Sequence, residues 1–246
     1  MERLKEINMN DVECSTVDSY FINSTKKYNI IYIDEGLMLQ PGEIDLLIHM
    51  TGAMKVYIYG DRKQLNFIPR VAGYESKIMD FIDFTKYEFR NLSRRCPRDV
   101  ASMFAKSYNC DFYTTNKVNR SMYVKSINGI NSVPKEKAKY LVFTQNEKKE
   151  LLKYGFDVNT IHEVQGMTFE SVILVRLSAK QMTINDSVQH ILVALTRHTK
   201  NFLYCTTRLI KDAIVDKINA VIINTKIGDE NMARKQIESE KKTRNL

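Results

Sequence analysis

Short apolar segments alternate with helical patterns along this 246-residue chain, and this alternation restricts its fold more than any other feature. Segments rich in β-branched and aromatic residues are typical of buried strands. Five such segments are present: Asn29–Ile33, Lys55–Tyr59, Tyr140–Thr144, Ser171–Leu177 and Asn201–Thr206. The predicted helices are Pro41–Met50, Asn146–Tyr154, a helix that Asp186 caps and that runs towards His198, and Arg208–Thr225. The alternation predicts an α/β fold of parallel sheets covered on both faces.

The excess of basic residues is confined to the later part of the chain. Residues 1–92 carry a net charge of −3, residues 93–207 carry +8 and residues 208–246 carry +3. The change of sign predicts domains at 1–92 and 93–207, followed by a C-terminal helix and charged tail at 208–246, of which residues 226–246 are expected to fray. A basic domain suits a polyanion, because neutralised phosphates supply affinity without sequence preference. A solvated basic surface has the same composition.

Composition excludes several other classes of protein. With 43% hydrophobic and 27% charged residues, the chain is not a disordered one. No apolar run approaches the ~18 residues needed to span a bilayer, and no signal peptide is evident. The cysteines form no C-x-x-C pair and the histidines no i,i+4 pair, so neither a zinc nor a redox site is predicted. We expect a soluble, cytoplasmic protein without a membrane span.

Ligands of parallel α/β sheets bind at the carboxyl ends of the strands, which directs attention to the residues after each strand. The first predicted strand ends in Asp34 and Glu35, the arrangement of a Walker B sequence. There the first carboxylate holds Mg²⁺, usually through water, and the second orients or deprotonates an attacking water. Acids also follow strands simply because loops are polar, so this pair alone does not decide the function.

Two further segments carry groups suited to phosphate chemistry. The sequence Gly-Asp-Arg-Lys-Gln-Leu follows the second strand, and its Asp61 and Gln64 supply a carboxylate and an amide that could sense a γ-phosphate or position water. Arg94 and Arg95 lie just before Pro97, where planar guanidinium groups could clamp a phosphate. The alternatives are an ordinary Asp-containing turn and a surface arginine pair.

The segment from Thr160 to Phe169 and the later Val-Ala-Leu-Thr-Arg sequence complete the set. A turn rich in Thr, His and Gln with a glycine can contact a nucleic-acid backbone, and Thr160, His162 and Thr168 are the candidate contacts. Arg197, after an apolar helical run, could act on a γ-phosphate as an arginine finger. His162 taken alone is equally compatible with a hydrogen-bonded structural histidine.

In this order, the five sequence blocks resemble motifs II to VI of superfamily 1 RNA helicases, in particular those of alphavirus-like positive-strand RNA viruses. The resemblance covers about residues 28–207. It implies two RecA-like domains, with a nucleotide bound in the cleft between them and single-stranded RNA across their top. The implied cofactor is Mg²⁺, the implied substrate is ATP or another NTP, and the implied partner is single-stranded RNA.

The resemblance also implies roles for individual residues of the first two blocks. Asp34 matches the magnesium ligand and Glu35 the catalytic carboxylate. Gln64 matches the γ-phosphate sensor, and Asp61 supports its loop.

For the later blocks, either Arg94 or Arg95 matches a phosphate-contacting arginine of the second domain, and the sequence leaves the choice open. Gln165 and Gly166 match the motif V turn, which couples nucleotide and RNA. Arg197 matches the motif VI arginine that reaches the nucleotide.

One family motif is missing. A Walker A loop has the form G-x-x-x-x-G-K-[ST], and none of the nine glycines of this chain is followed by lysine. We therefore expect a truncated first sheet that lacks its phosphate-loop strand and exposes an edge beside Lys55–Tyr59. We also expect the chain to be part of a viral polyprotein or a virus-derived sequence in a host genome. Its partners would then include the missing N-terminal part or other replication proteins.

Three functions remain open at the level of sequence. The first is an NTP-dependent RNA helicase, or a fragment or remnant of one, in which NTP hydrolysis drives translocation on single-stranded RNA. The second is an RNA-binding module without NTP hydrolysis, which the net charge of +8 over residues 93–207 favours. The third is a decayed or structural remnant without a selected activity.

Overall fold

A computed structural model describes residues 12–65 and 87–229, together with residues 231, 232, 235 and 238. The described chain divides into two compact units. The first unit contains residues 12–62, and the second contains Lys63–Leu65 and the residues from 87 onwards. All strand pairs in the described residues are parallel, as the alternation of strands and helices predicted.

The first unit is a single strand–helix–strand element with a short helix before it. Its elements are α1 (Val17–Asn23), β1 (Ile30–Ile33), a 3₁₀ turn (Gly36–Met38), α2 (Pro41–Thr51) and β2 (Lys55–Ile58). Pro41 opens α2, and the Glu43 carboxylate accepts a hydrogen bond of 2.7 Å from the backbone N–H of Gln40. Gly52, with φ of 67°, ends the helix. The predicted strands and helix of this unit are confirmed to within about two residues.

The two faces of this small sheet differ. Ile31 and Ile33 point inward and pack with Tyr20, Ile44 and Leu47 of the flanking helices. The residues that alternate with them point to solvent, and the aromatic ones are Tyr32, Tyr57 and Tyr59. The described part of the first unit thus covers one face of its sheet, whereas the alternation pattern predicted that both would be covered.

The second unit is built on a five-stranded sheet with the order β5-β9-β8-β6-β7. Its strands are β5 (Met122–Ser126), β6 (Lys139–Val142), β7 (Val158–Thr160), β8 (Phe169–Arg176) and β9 (His198–Thr206). A separate pair consists of β3 (Leu92–Ser93) and β4 (Tyr113–Thr114). The helices are α3 (Arg98–Tyr108), α4 (Gln145–Lys153), α5 (Thr183–Asp186), α6 (Val188–Leu195) and α7 (Ala213–Asn219).

The side chains of the central strands alternate between two hydrophobic cores, one on each face of this sheet. One core joins Val172, Leu174 and Phe202 to residues of α3, α6 and α7. The other joins Ile173 and Val175 to residues of α4 and of the loop after β5. The larger sheet is therefore covered on both faces, as expected for a parallel sheet.

The helix predicted from Asp186 begins one residue later and ends earlier. Ser187 is its N-cap, because the Ser187 hydroxyl accepts from the backbone N–H of His190. Asp186 instead ends the short α5 and accepts a hydrogen bond from Gln181. The prediction of Asp186 as the cap is therefore wrong.

The predicted helix Arg208–Thr225 is also shorter than expected, since α7 covers only Ala213–Asn219. Lys211 has a left-handed backbone with φ of 56°, and the Asp212 carboxylate caps the helix directly after it. Beyond α7 the chain extends so that the Thr225 hydroxyl lies 2.9 Å from that of Ser102. The amphipathic pattern continued past both ends, but the cap and this tertiary contact set the limits.

Asp212 also belongs to a buried polar cluster that it forms with Arg176 of β8 and Tyr204 of β9. Its carboxylate lies 2.8 Å from Nη1 of Arg176 and accepts from the hydroxyl of Tyr204 at 2.7 Å. The side chains of Arg176 and Asp212 are each only 1% exposed. This cluster fixes the start of α7 against β8 and β9.

The predicted domains 1–92, 93–207 and 208–246 remain predictions. Residues 208–229 belong to the second unit, and most of the tail expected to fray lies outside the described residues. Within the part of the chain that the structure describes, no helix is both long enough and apolar enough to cross a membrane.

Candidate functional site

The acidic pair after β1 adopts an unusual backbone conformation. Glu35 has φ of 51° and ψ of 35°, in the left-handed region that non-glycine residues rarely adopt. Its backbone N–H donates to Oδ1 of Asp34 at 3.1 Å, and the Asp34 side chain is exposed. Strained backbone of this kind is concentrated at functional sites, so the observation fits the predicted role of the pair.

Two glycines bring the loops after β1 and β2 together. A Cβ atom on Gly36 would lie 2.5 Å from Cγ2 of Ile58, and one on Gly60 would lie 2.8 Å from Cγ of Leu37. The backbone N–H of Gly36 donates to the carbonyl of Tyr59 at 2.8 Å. Within the first unit, the structure therefore places the Asp34 and Glu35 loop directly against the loop that leads into Asp61.

The Gly-Asp-Arg-Lys-Gln-Leu block is shared between the units. Asp61 belongs to the first unit, whereas Gln64 belongs to the second. Nζ of Lys63 lies 5.0 Å from the ring centroid of Tyr108 and donates to the carbonyl of Ser107. Leu65 is 4% exposed within the core of the second unit. The predicted γ-phosphate sensor thus lies in a segment that the second unit holds.

The structure distinguishes the two arginines that the sequence left equivalent. Nη1 of Arg95 donates to the hydroxyl of Thr168 at 3.0 Å and to the carbonyl of Met167 at 3.4 Å. Arg94 is exposed. The amide of Asn116 donates to the carbonyls of Arg95 at 2.8 Å and Thr199 at 2.7 Å. Arg95 is therefore in contact with the predicted motif V turn.

Arg197 is buried beneath the same turn, with 1% of the residue exposed. Nη1 of its guanidinium donates to the carbonyls of Met167 at 3.3 Å and Val164 at 3.5 Å. Nε donates to the carbonyl of Val193, and Nη2 donates to the hydroxyl of Thr196. These contacts join the predicted motif VI to motif V, and the predicted contact between Arg197 and a phosphate remains a prediction.

The turn itself exposes part of the predicted RNA-binding set. Gly166 has φ of 79°, and Gly166 and Thr168 are exposed. His162 is half-buried, whereas Thr160 is only 5% exposed. Nε2 of Gln165 donates to the carbonyl of Leu65 at 3.2 Å, which ties the turn to the Lys63–Leu65 segment.

Glu163 anchors the predicted motif V turn, a role that the sequence motifs did not predict. Its carboxylate accepts hydrogen bonds from Lys148 at 2.5 Å, from Gln145 and Asn159 at 2.9 Å, and from the backbone N–H of Thr160 at 3.1 Å. Burial alone would raise the pKa of Glu163, but these hydrogen bonds outweigh it and lower the pKa to about 2. An acidic residue inside an otherwise neutral turn was the available signal for this anchor.

His198 is a second missed residue, directly after Arg197. It is fully buried, and its Nε2 lies 2.7 Å from the hydroxyl of Ser121, which in turn donates to the buried Asp99 at 2.8 Å. Burial lowers the pKa of His198 to about 3, with a smaller contribution from the positive charge of Arg95. The imidazole is therefore neutral at physiological pH.

The residues of the candidate site suit Mg²⁺ better than they suit the phosphates of a nucleotide. Mg²⁺ is often held by one or two carboxylates together with waters and substrate phosphates, which suits the exposed Asp34. No cluster of three or more His, Cys, Asp or Glu suited to a metal is found in the described residues. The β- and γ-phosphates of an NTP need a cradle of backbone N–H groups and a lysine, and no Walker A sequence supplies it in this chain.

Comparisons with known proteins place this geometry in a family. Residues 3–206 match the viral superfamily 1 RNA helicase core domain. The replicase large subunit of Tobacco mild green mosaic virus is 43% identical over 202 residues, which are 79% of this chain and 13% of the replicase. That of Odontoglossum ringspot virus (isolate Korean Cy) is 39% identical over 203 residues, which are 77% of this chain and 13% of that protein. The chain therefore spans about an eighth of these relatives.

A solved structure supports the fold. The Arterivirus nonstructural protein 10 (helicase) superposes with a TM-score of 0.55 at 17% identity, over 79% of this chain and 42% of that one. At this identity the likeness bears on the fold alone. It agrees with the predicted fold class of RecA-like parallel sheets.

Proposed function

The chain belongs to the viral superfamily 1 RNA helicase family, and we propose that it supplies the motif II to VI part of an NTP-dependent RNA helicase. Family membership confirms the resemblance drawn from the five sequence blocks. The observation that carries the proposal is the contact of Arg95 and Arg197 with one turn of the chain, which joins three of these blocks in the second unit.

In this proposal Asp34 holds Mg²⁺ and Glu35 positions the attacking water. Preorganised charge is the main requirement of phosphoryl transfer, and the hydrogen bond from the Glu35 N–H to Asp34, which holds the two carboxylates side by side, suits that requirement. Gln64, with Asp61 supporting its loop, senses the γ-phosphate. Because the chain does not provide a phosphate cradle, no hydrolytic step is assigned to it alone.

The second unit supplies the remaining groups. Arg197 contacts phosphate, with Arg95 or Arg94 assisting it. Arg95 is the better candidate, because its contact with Thr168 couples it to the motif V turn. Gln165 and Gly166 form the coupling turn, and Thr160, His162 and Thr168 face single-stranded RNA. The exposed Gly166 and Thr168 favour the RNA contact more than the buried Thr160 does. A cytoplasmic location remains a prediction.

RNA-stimulated NTP hydrolysis tests this proposal. The chain would be compared with a version extended upstream to include a G-x-x-x-x-G-K-[ST] sequence. We expect RNA-stimulated hydrolysis from the extended version, and we expect Glu35→Gln and Arg197→Lys to reduce it by at least 100-fold. Glu170→Gln, which removes an exposed charge near the motif V turn, is the matched control and should retain activity. Equal rates in the parent and both site variants would contradict the proposal and favour a remnant without activity.

An RNA-binding module without NTP hydrolysis is the second candidate. It is favoured by the absence of any Gly-Lys pair and by the net charge of +8 over residues 93–207. It predicts that the chain binds single-stranded RNA with an affinity that falls steeply as salt rises. Arg94→Ala should lower the slope of log K against log salt by about 1. Binding that does not respond to salt would exclude this candidate.

A further inference from the structure

A short segment of the second unit lies between the sequence blocks that contain Arg95 and Arg197. We call residues 114–121, which run from the end of β4 to the start of β5, the bridging segment. On one side, the carbonyl of Val118 accepts a hydrogen bond of 2.8 Å from the start of α3, shortly after Arg95. On the other side, the carbonyl of Ser121 accepts one of 2.8 Å from β9, shortly after Arg197. The bridging segment lies outside the five sequence blocks, yet it is bonded to the residues beside two of them.

The side chain of Asn116 joins the two blocks directly. Its Nδ2 donates to the carbonyl of Arg95 at 2.8 Å and to that of Thr199 at 2.7 Å. Its Oδ1 accepts from the backbone N–H of Val118 at 2.9 Å, which fixes the orientation of the amide. Both hydrogens of the amide nitrogen thus have an acceptor, and the planar group sets the distance between the two carbonyls. One carbonyl belongs to Arg95 itself, and the other lies two residues after Arg197.

Ser121 makes a second connection between the same blocks, and this one is fully buried. Its hydroxyl lies 2.7 Å from Nε2 of His198, the residue after Arg197, and donates to Oδ1 of Asp99 at 2.8 Å. The Asp99 carboxylate also accepts from three backbone N–H groups. Because the hydroxyl gives its one hydrogen to Asp99, the neutral imidazole must carry its own hydrogen on Nε2. The chain of hydrogen bonds therefore fixes the ring next to Arg197.

Arg95 and Arg197 need support of this kind for two reasons. Residues 196–201, all described by the structure, belong to neither hydrophobic core of the second unit, so polar contacts hold them in place. In addition, both guanidinium groups are positively charged and donate to the one carbonyl of Met167, and like charges this close repel each other. Donors that are held in place against their repulsion can receive an anion without rearrangement.

We propose that Asn116 and Ser121 are positioning residues, which set the distance between Arg95 and Arg197 so that both guanidinium groups meet one phosphate group. Neither side chain contacts the phosphate itself, because the Asn116 amide hydrogens are used within the chain and Ser121 is 0% exposed. The ligand must offer at least two anionic oxygens, one for each guanidinium group. This inference rests on the proposed function, because it assigns the geometry on which phosphate contact by the two arginines depends.

Asn116→Asp is the variant that tests this proposal most directly. The carboxylate has the shape of the amide and keeps an acceptor for the N–H of Val118, but it loses both hydrogens that bind the two carbonyls. Asn119→Asp is the matched control in the same segment. The exposed Asn119 side chain accepts from Nη1 of Arg98 at 2.7 Å, and a carboxylate retains that contact.

A phosphate titration of the full chain gives a readout that does not depend on hydrolysis. Nε of Arg95 and Nε of Arg197 are both buried, so their N–H groups should give resolved signals in a proton–nitrogen NMR spectrum, which Arg95→Lys and Arg197→Lys would identify. With inorganic phosphate at constant ionic strength, we expect both signals to move along one saturation curve. The midpoint should rise at least about 5-fold in Asn116→Asp and stay unchanged in Asn119→Asp.

Hydrolysis by the upstream-extended chain gives the second readout. We expect Asn116→Asp to lower kcat at least about 10-fold and to change KM for the NTP less than about 2-fold, because misplaced groups act mainly on the transition state. In an Arg197→Lys background the further loss should be less than about 3-fold, since the arginine to be positioned is gone. A purely structural role would lower the amount of active enzyme by the same factor in both backgrounds.

Circular dichroism would verify that each variant is folded. If Asn116→Asp does not fold, Asn116→Ala replaces it, because water can reach the two carbonyls at this half-buried position. Ser121→Ala tests the second connection, and we expect it to lower kcat in the same direction.

Several results would overturn the inference. They are a phosphate titration of the parent that moves one arginine signal or neither, equal behaviour of the Asn116 and Asn119 variants, or equal fractional losses of kcat in the two backgrounds. The outcome is separate from that of the proposed function. Phosphate that moves both signals in a protein without hydrolysis supports the positioning role and contradicts the function. Hydrolysis that the Asn116 variants do not alter contradicts the positioning role and leaves the function standing.

Discussion

Arg95 and Arg197 donate hydrogen bonds from Nη1 to the same backbone oxygen, the carbonyl of Met167, at 3.4 Å and 3.3 Å. The two guanidinium groups come from sequence blocks about a hundred residues apart, and both carry a positive charge. A carbonyl oxygen has two lone pairs and can serve both donors. The motif V turn thereby holds two cations close together, an arrangement that an anionic ligand would stabilise.

Because Arg95 and Arg197 share the carbonyl of Met167, we expect their contributions to stability to be coupled. Arg197→Lys should destabilise the fold by about 1–3 kcal/mol, because buried carbonyl acceptors lose their donors. Arg95→Lys should cost less than about 1 kcal/mol, since Arg95 is only half-buried. In a double-mutant cycle by urea unfolding, we expect the two effects to differ from additivity by at least about 0.5 kcal/mol. Strict additivity would show that the shared carbonyl has no energetic consequence.

Glu163→Gln should loosen the motif V turn. The neutral amide cannot replace the carboxylate towards Lys148, and one of its two oxygen acceptors becomes a donor that faces other donors. We expect a loss of about 1–3 kcal/mol in unfolding free energy and faster hydrogen exchange at residues 160–168. Because the pKa of Glu163 is lowered to about 2, its contribution is complete above about pH 4.5 and declines as the pH falls towards 2.

Glu170→Gln is the matched control for this prediction. Glu170 pairs with Lys200 at 3.0 Å, and both side chains are more than half exposed. Such surface pairs contribute little, so the change should alter stability by less than about 0.5 kcal/mol. An equal loss in the two variants would show that the hydrogen-bond network around Glu163 is not what stabilises the turn.

Because burial lowers the pKa of His198, we expect the folded chain to lose stability in mild acid. The pKa of this histidine falls from 6.5 in the unfolded chain to about 3 in the folded one, so the unfolded state binds more protons between these values. The free energy of unfolding should therefore decrease as pH falls below 6.5, by up to about 1.4 kcal/mol per pH unit from this residue. Urea unfolding at pH 7.5, 6.0 and 5.0 would measure this decrease in the free energy of unfolding.

His198→Gln should reduce that pH dependence, since glutamine keeps a hydrogen-bonding group near Ser121 but does not titrate. The half-buried His190 is the comparison residue, because burial lowers its pKa too, and His190→Gln should leave most of the slope in place. If His198→Gln left the dependence of the unfolding free energy on pH unchanged, this dependence would not come from His198.

Glu35→Gly should separate stability from activity. Glycine adopts the left-handed conformation at φ of 51° without steric cost, so the Glu35→Gly chain should be more stable than a Glu35→Ala chain, which lacks the same carboxylate, by up to about 1 kcal/mol. Hydrolysis by the upstream-extended chain should be lost at the same time, because the carboxylate is gone. Asp34→Gly, at a neighbouring position without a positive φ, should instead destabilise the first unit. A Glu35→Gly chain no more stable than the Glu35→Ala chain would disprove the strain.

The sequence predicted the strands well where their residues are buried on both faces. Tyr140–Thr144 and Ser171–Leu177 lie in the middle of the five-stranded sheet, and their near-continuous apolar composition follows from that position. Met122–Ser126 was missed, because an edge strand with exposed alternate residues gives a weaker pattern. Asp212 caps the start of α7 locally, but its pairing with Arg176 and the contact of Thr225 with Ser102 join residues distant in sequence, and no local pattern reports such contacts.

The candidate site was predictable to a similar extent. The motif order predicted Asp34, Glu35 and Arg197, whose roles remain predictions, and the structure adds the contact of Arg95 with Thr168. Glu163 and His198 were missed for a physical reason. A buried or multiply hydrogen-bonded titratable group is recognised by its partners, and those partners are supplied by other elements.

The segment Lys63–Leu65 makes the second unit discontinuous along the chain. A gene fragment that begins after residue 86 would encode this unit without Leu65, leaving an empty place in the core and removing the carbonyl that accepts from Gln165. Separate inheritance of the two units would therefore damage the motif V turn of the second. In a virus that exchanges segments by recombination, crossovers between residues 65 and 87 should therefore rarely be viable, because they separate Leu65 from the rest of the second unit.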